Sequence, residues 1–166
     1  MSQSLADYVR GKCGVIAVSD AFRLAPWADA LVSNDARWWR ANPDAHEFAG
    51  RKFSYEWVRG VEPIKAQHPY RIGINSGLRA MTIAQDVYHA TRILLLGFDM
   101  HGTHYFGPHT KRDPRTGTKL PNTDEKKFAR FIREFDKWAG CEVLNCTPGS
   151  ALTRFPFADV HEVLHP

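Results

Sequence analysis

Cysteine is scarce in this chain of 166 residues, which has three. Cys13, Cys141 and Cys146 follow no metal-ligand spacing, and an odd count argues against a disulfide framework. Thiols of this kind are usually small buried hydrophobes, and a reduced, cytoplasmic setting is the expectation. Long apolar runs are missing too. None reaches the roughly 20 residues that a membrane-spanning helix needs. The N-terminus is polar and mixed, so no secretory signal and no membrane partner are expected. Internal repeats and low-complexity tracts are absent. An acidic excess is also lacking: 22 Lys and Arg against 18 Asp and Glu leave a formal charge of +4. That balance favours an anionic ligand such as a nucleotide. It is too weak for a nucleic-acid partner without a concentrated basic stripe. The nearest stripe, Lys111, Arg112, Arg115 and Lys119, lies among Pro, Gly and Thr and reads as a flexible, solvated loop.

What is present is ordinary for a globular protein: 43% hydrophobic and 24% charged residues. The length suits one domain over residues 1–166. Residues 4–10 read as a short helix capped by Ser4, and residues 14–19 as a buried strand. Residues 20–25 form a loop or short helix. Residues 30–33 make a second strand, followed by a helix from Asp35. The next stretch is irregular, with short strands around Gly50 and breaks at Pro63 and Pro69. A helix opens at Asn75 and runs to about His89, and residues 92–96 make a strand. Residues 102–122 read as a long loop. Residues 123–138 form an amphipathic helix capped by Thr123, with Phe128, Phe131, Ile132 and Phe135 on one face. Residues 141–146 make a last strand. This alternation predicts an α/β fold, Rossmann-like, with a mostly parallel sheet flanked by helices. Trp38 and Trp39 are adjacent and do not share a helix face, so one is expected in the core and the other exposed or at an oligomer contact.

Residues 93–109 carry the densest chemistry. An apolar run stops at Gly97, and Asp99, His101, His104 and His109 follow. Such a run predicts a buried parallel strand ending in a functional loop. Ligands of open α/β sheets bind beyond the carboxyl ends of strands. His109 has the titration range of a general base on a loop. The same four side chains are alternatively a divalent metal site, since carboxylate and imidazole suit zinc, manganese or iron. Asn75-Ser76-Gly77 at a helix start is a phosphate site by its free N–H groups, or an ordinary N-cap. Gly77 points to close ligand approach, because an early helical glycine has little packing value. Asn34 and Asp35 follow a strand and would bond a ribose or base, or cap the next helix.

Four ordered blocks resemble the glycosyltransferase family 42 sialyltransferases and their relatives. Those relatives include motility accessory factor and 6-hydroxymethylpterin diphosphokinase-like proteins and short phage-encoded proteins. The blocks are the stretch ending Ser19-Asp20, with Ser33-Asn34-Asp35; Asn75-Ser76-Gly77, with Gly97-Phe98-Asp99; residues 104–109, with Asn122-Thr123-Asp124; and residues 144–152. The resemblance implies a sialyltransferase-like domain that binds a nucleotide or nucleotide-sugar without a metal or other cofactor. It implies that Ser19 and Asn34 approach the nucleotide, and that Asn75, Ser76 and Gly77 approach its phosphate or ribose. Gly97 and Asp99 would shape the pocket floor. His101 stands where the family has a phosphate-holding tyrosine. His109 matches the family's general base, and His104 takes a supporting role. The family's first strand and its Gly-x-Gly-Pro-Ser-Leu turn are missing here, with Ser4-Leu5 their remnant, and Ser19 replaces an Asn.

Three functions follow as expectations. The first is a nucleotide or nucleotide-sugar binding protein, a glycosyltransferase where His109 acts as base. The second is a catalytically reduced module that sequesters a nucleotide or binds a protein. The third is a metal-dependent hydrolase on the histidine loop. An open sheet edge tends to become covered or paired, so a homo-oligomer is expected.

Overall fold

Ala30, Leu31 and Val32 are all 0% exposed. In the computed structural model, which describes residues 2–64, 75–102 and 107–165, they form an interior strand. Strands β1 (Ile16–Val18), β2 (Ala30–Val32), β3 (Arg51–Ser54) and β4 (Glu62–Pro63) make one sheet in that order. Every pairing in it is parallel. Pro63 has no amide to donate and sits on the edge strand, where its loss is harmless. Strands β5 (Arg92–Leu95) and β6 (Glu142–Asn145) form a separate parallel pair. The fold is therefore α/β with parallel pairing and flanking helices, as expected, but the sheet is interrupted between β1 and β5 among the described residues.

Helix α1 (Gln3–Val9) is capped by Ser2, whose Oγ accepts from the Leu5 amide at 3.3 Å; Ser4 lies inside the first turn. Helix α2 (Ala36–Ala41) takes Asp35 as its cap, as read. Helix α3 (Ser76–Asp86) is capped by Asn75. Its Leu78 and Met81 pack with Leu95 of β5, while Ala80 and Ile83 pack with Ile16 and Val18 of β1. One helix thus covers both strands that flank the interruption. Helix α4 (Glu125–Phe135) starts later than the sequence predicts, because Asp124 caps it by accepting from the Lys127 amide at 2.9 Å. A carboxylate at that place also meets the positive end of the helix dipole, an advantage the Thr123 hydroxyl lacks. A further helix, α5 (Val160–Val163), escaped the reading, since four residues show no period.

Both tryptophans of α2 are buried, against expectation: Trp38 is 5% exposed and Trp39 0%. Trp38 packs edge-on to Phe22 of the short 3₁₀ turn Ser19–Arg23, and the Trp39 indole N–H donates to the Ser33 carbonyl at 2.9 Å. A second 3₁₀ turn, Pro43–Glu47, and Leu120 complete the enclosure. Short elements wrap α2 on more than one side, so adjacent positions both reach the core. Residues 111–120 are likewise not a free loop. Arg112 and Lys119 bridge antiparallel, Leu120 enters the core, and buried Asp113 takes a two-pronged ion pair from Arg40 at 2.9 and 2.6 Å. That pair holds the Asp113 carboxyl down at about 2. Among the described residues no helix is long and apolar enough to cross a membrane.

Candidate functional site

Chain direction puts the carboxyl ends of β1, β2 and β5 on one side, and loops from each meet there. A cavity of about 1190 Å³ runs along β1 and β5 from Gly14 and Arg92, between α1 and α3, and reaches these carboxyl ends beside residues 107–111. Ser19, Asn34, Asn75, Ser76, Gly77, Gly97, Asp99, His101 and His109 all line it. His104 lies outside the described residues.

The backbone is bent to form this end of the cleft. Ser19, immediately after β1, has φ of 47°, and Met100 has 58°. Left-handed backbone is costly for side chains with a Cβ and gathers at functional loops. Gly97, with φ of 75°, makes the sharp exit from β5 without that cost. The loop it opens is held from behind. The Phe98 amide donates to Thr147 Oγ1 at 3.0 Å, and the Ser150 hydroxyl donates to the Phe98 carbonyl at 2.5 Å. The Ala151 amide donates to the Asp99 carbonyl at 2.8 Å. Thr147, Ser150 and Ala151 therefore hold the loop after β5 in place, a role that sequence reasoning missed. His101 is exposed, with its Nε2 at 3.2 Å from the Gly149 carbonyl.

At the head of α3, Asn75 Oδ1 accepts from the Leu78 amide at 2.8 Å, which is ordinary capping. Its Nδ2 is buried and has no hydrogen-bond partner. An unsatisfied buried donor is costly, and a ligand acceptor would relieve it. The Ser76 hydroxyl accepts from the Asn34 amide at 3.1 Å and so ties this helix end to the end of β2. Gly77 has a packing role after all: a Cβ there would stand 2.6 Å from Phe98 Cε1. The expectation that packing does not need this glycine is corrected.

His109 is half-buried, and its amide donates to Asn122 Oδ1 at 2.6 Å. Its Nδ1 lies 3.8 Å from Asp20 Oδ2. Asp20 also faces the Trp38 indole N–H at 3.4 Å and Arg23 Nε at 3.7 Å. A carboxylate at that distance orients the imidazole ring. This partner was missed as well; only its place after Ser19 at a strand end hinted at it. Arg23, Arg92, Lys111, Lys127 and Arg130 line the cavity among the carboxylates Asp20, Asp29, Asp35 and Asp99. Lys111 Nζ donates to Asn42 Oδ1 at 2.5 Å, which anchors the segment carrying His109 to α2. Among the described residues no three His, Cys, Asp or Glu side chains stand together to hold a metal ion. Compared with protein-family models, curated proteins and solved structures, the chain matches none.

Proposed function

We propose that this protein binds a nucleotide or nucleotide-sugar in the cleft at the carboxyl ends of β1, β2 and β5, as a sialyltransferase-like, Rossmann-type domain. The carrying observation is convergence: nine positions chosen from separate stretches of sequence line one cleft. The buried, unpartnered Asn75 Nδ2 at the head of α3 supports the phosphate end of the reading. Helix N-termini hold anions through free N–H groups and the helix dipole. Five cationic side chains, beside four aspartates, line the cavity and suit the same charge. Ser19 and Asn34 then face the nucleoside, and Gly97 and Asp99 form the floor.

In the transfer reaction, His109 takes the proton of an acceptor hydroxyl as that oxygen attacks the sugar carbon bonded to phosphate. The carbon–oxygen bond to phosphate breaks, and the leaving phosphate keeps the electron pair. The head of α3, with His101, stabilises the charge that develops. Asp20 orients the imidazole. The interrupted sheet favours a second reading, a module that binds the nucleotide without turnover.

Isothermal titration against a nucleotide panel that includes cytidine monophosphate tests the binding. Saturable binding is expected, and no heat at millimolar ligand overturns the proposal. His109→Ala should leave affinity within about threefold while abolishing transfer, since a base acts on the chemical step. Binding without transfer in the unaltered protein selects the second reading.

A further inference from the structure

Asn42 ends α2 and is 0% exposed. It does not line the cavity, yet it stands directly behind the Asp20–His109 pair. A buried amide has to place its oxygen and its N–H groups, since an unmet polar atom is costly. The Asn42 Oδ1 accepts from Lys111 Nζ at 2.5 Å and from Arg23 Nη2 at 2.9 Å. Its Nδ2 donates to the Trp38 carbonyl at 2.8 Å. Each of these three partners lies one step from the pair. Lys111 follows His109 by two residues. Arg23 Nε stands 3.7 Å from Asp20 Oδ1, and the Trp38 indole N–H faces Asp20 Oδ2 at 3.4 Å.

Ending the helix does not need the Asn42 oxygen. The backbone N–H of Asn42 bonds the Trp39 carbonyl, and Nδ2 meets the Trp38 carbonyl. The oxygen serves the two loops. Two cations converge on it, and their mutual repulsion has to be offset. Asp44 does so. It takes an ion pair from Arg23, whose hydrogen bond, with the charge of Lys111, holds the Asp44 carboxyl below the ordinary carboxylate range. The Arg40–Asp113 ion pair ties the second loop to α2 further along, so Asn42 holds the end next to His109.

We propose that Asn42 is a positioning residue of the His109 site. Through Lys111 it sets where the segment carrying His109 stands. Through Arg23 and Trp38 it sets where the Asp20 carboxylate stands. The 3.8 Å approach of His109 Nδ1 to Asp20 Oδ2 is the result. Chemistry is sensitive to such placement, since a shift of about 1 Å from a remote change can cost about 100-fold in rate. That the positioned ring serves a transfer rests on the nucleotide-sugar reading above; the positioning itself rests on these hydrogen bonds.

Nuclear Overhauser contacts between the His109 ring and the Asp20 β-protons, measured on the full chain without ligand, read the approach. Lys111→Met removes one donor and leaves Asn42 and its bond to Trp38 in place. It should lose these contacts, while the contact of Phe98 with Phe135, in another core cluster, stays. Lys111→Arg, which can still donate to the Asn42 oxygen, should keep them. Asn42→Leu, of similar size without polar groups, should lose them; if it fails to fold, the two Lys111 variants decide. The proposal is overturned if the contacts are absent from the unaltered chain, survive Lys111→Met, or vanish equally in Lys111→Arg. These contacts need no nucleotide, so they stand or fall apart from the nucleotide titration. Where the unaltered chain releases cytidine monophosphate from a cytidine-monophosphate-linked sugar, the folded Asn42→Leu and Lys111→Met variants should lose about tenfold to 100-fold in kcat with KM within about threefold. An unchanged kcat beside lost contacts would overturn the part of Asn42 in the transfer.

Discussion

Gly77 separates packing from ligand approach as the reason for a glycine at the head of α3. A methyl group there would meet Phe98 Cε1 at 2.6 Å and Asn75 Oδ1 at 3.1 Å. Phe98 has little freedom to yield, because its ring stands edge-on to Phe135 at 5.9 Å, and Phe135 is fully buried. Overpacking of this kind costs about 1–3 kcal/mol, and the better helix propensity of alanine returns up to about 1 kcal/mol. Gly77→Ala should therefore destabilise the protein by about 1 kcal/mol, or about 2–4 °C in Tm for a chain of this size. Phe98→Leu deletes the ring atoms that the new methyl would strike. In that background the same glycine change should become neutral or stabilising by up to about 1 kcal/mol. Urea denaturation of the four proteins closes the cycle, with a coupling of about 1–2 kcal/mol expected. Equal costs in both backgrounds would refute the packing account. If Gly77→Ala, folded and only mildly destabilised, also lost nucleotide binding while Phe98→Leu kept it, ligand approach would be the further reason for the glycine.

Ser19 makes a second backbone test. Left-handed φ costs a residue with a Cβ about 1–2 kcal/mol, and glycine's looser unfolded chain returns about 0.5–1 kcal/mol. Both Ser19→Gly and Ser19→Ala lose the 3.2 Å hydroxyl contact to Ser33. The glycine variant should thus be the more stable by about 0.5–1 kcal/mol in thermal melts, and the reverse order would contradict the strain. Asp113 sets an acid dependence. Its carboxyl titrates at about 2 in the fold against an ordinary 3.8, chiefly through the Arg40 hydrogen bonds. A lowered carboxyl contributes stability that is full above its unfolded value and is lost as pH falls through its folded value. The gap in urea midpoint between the unaltered protein and Asp113→Asn should hold steady above about pH 5 and close towards pH 2. A gap that stays constant over that range would show that the ion pair does not set it.

Local chemistry made most elements of this fold readable. The apolar runs ending at Ser19, Ser33 and Gly97 became β1, β2 and β5, because a strand covered on both faces has to be continuously apolar. Asn75 and Asp35 became caps because their side chains reach the first free amides. The misses share a cause. Ser2 rather than Ser4, and Asp124 rather than Thr123, were decided by which oxygen reaches the amide three residues on. Trp38 and Trp39 were both buried by segments that arrive from elsewhere in the chain, and periodicity within one helix carries no trace of them. The same limit applies to the candidate site. Strand ends told where ligand-facing residues should stand, and those residues do stand around one cleft. The approach of Asp20 to His109 joins two remote loops, and the Arg40–Asp113 ion pair ties the segment that follows His109 to α2. The gap between β1 and β5 is the extreme case. Each strand looks complete in its own stretch of sequence; the ordered blocks of the resemblance, not periodicity, pointed to an absent neighbour, and among the described residues β1 and β5 belong to separate sheets.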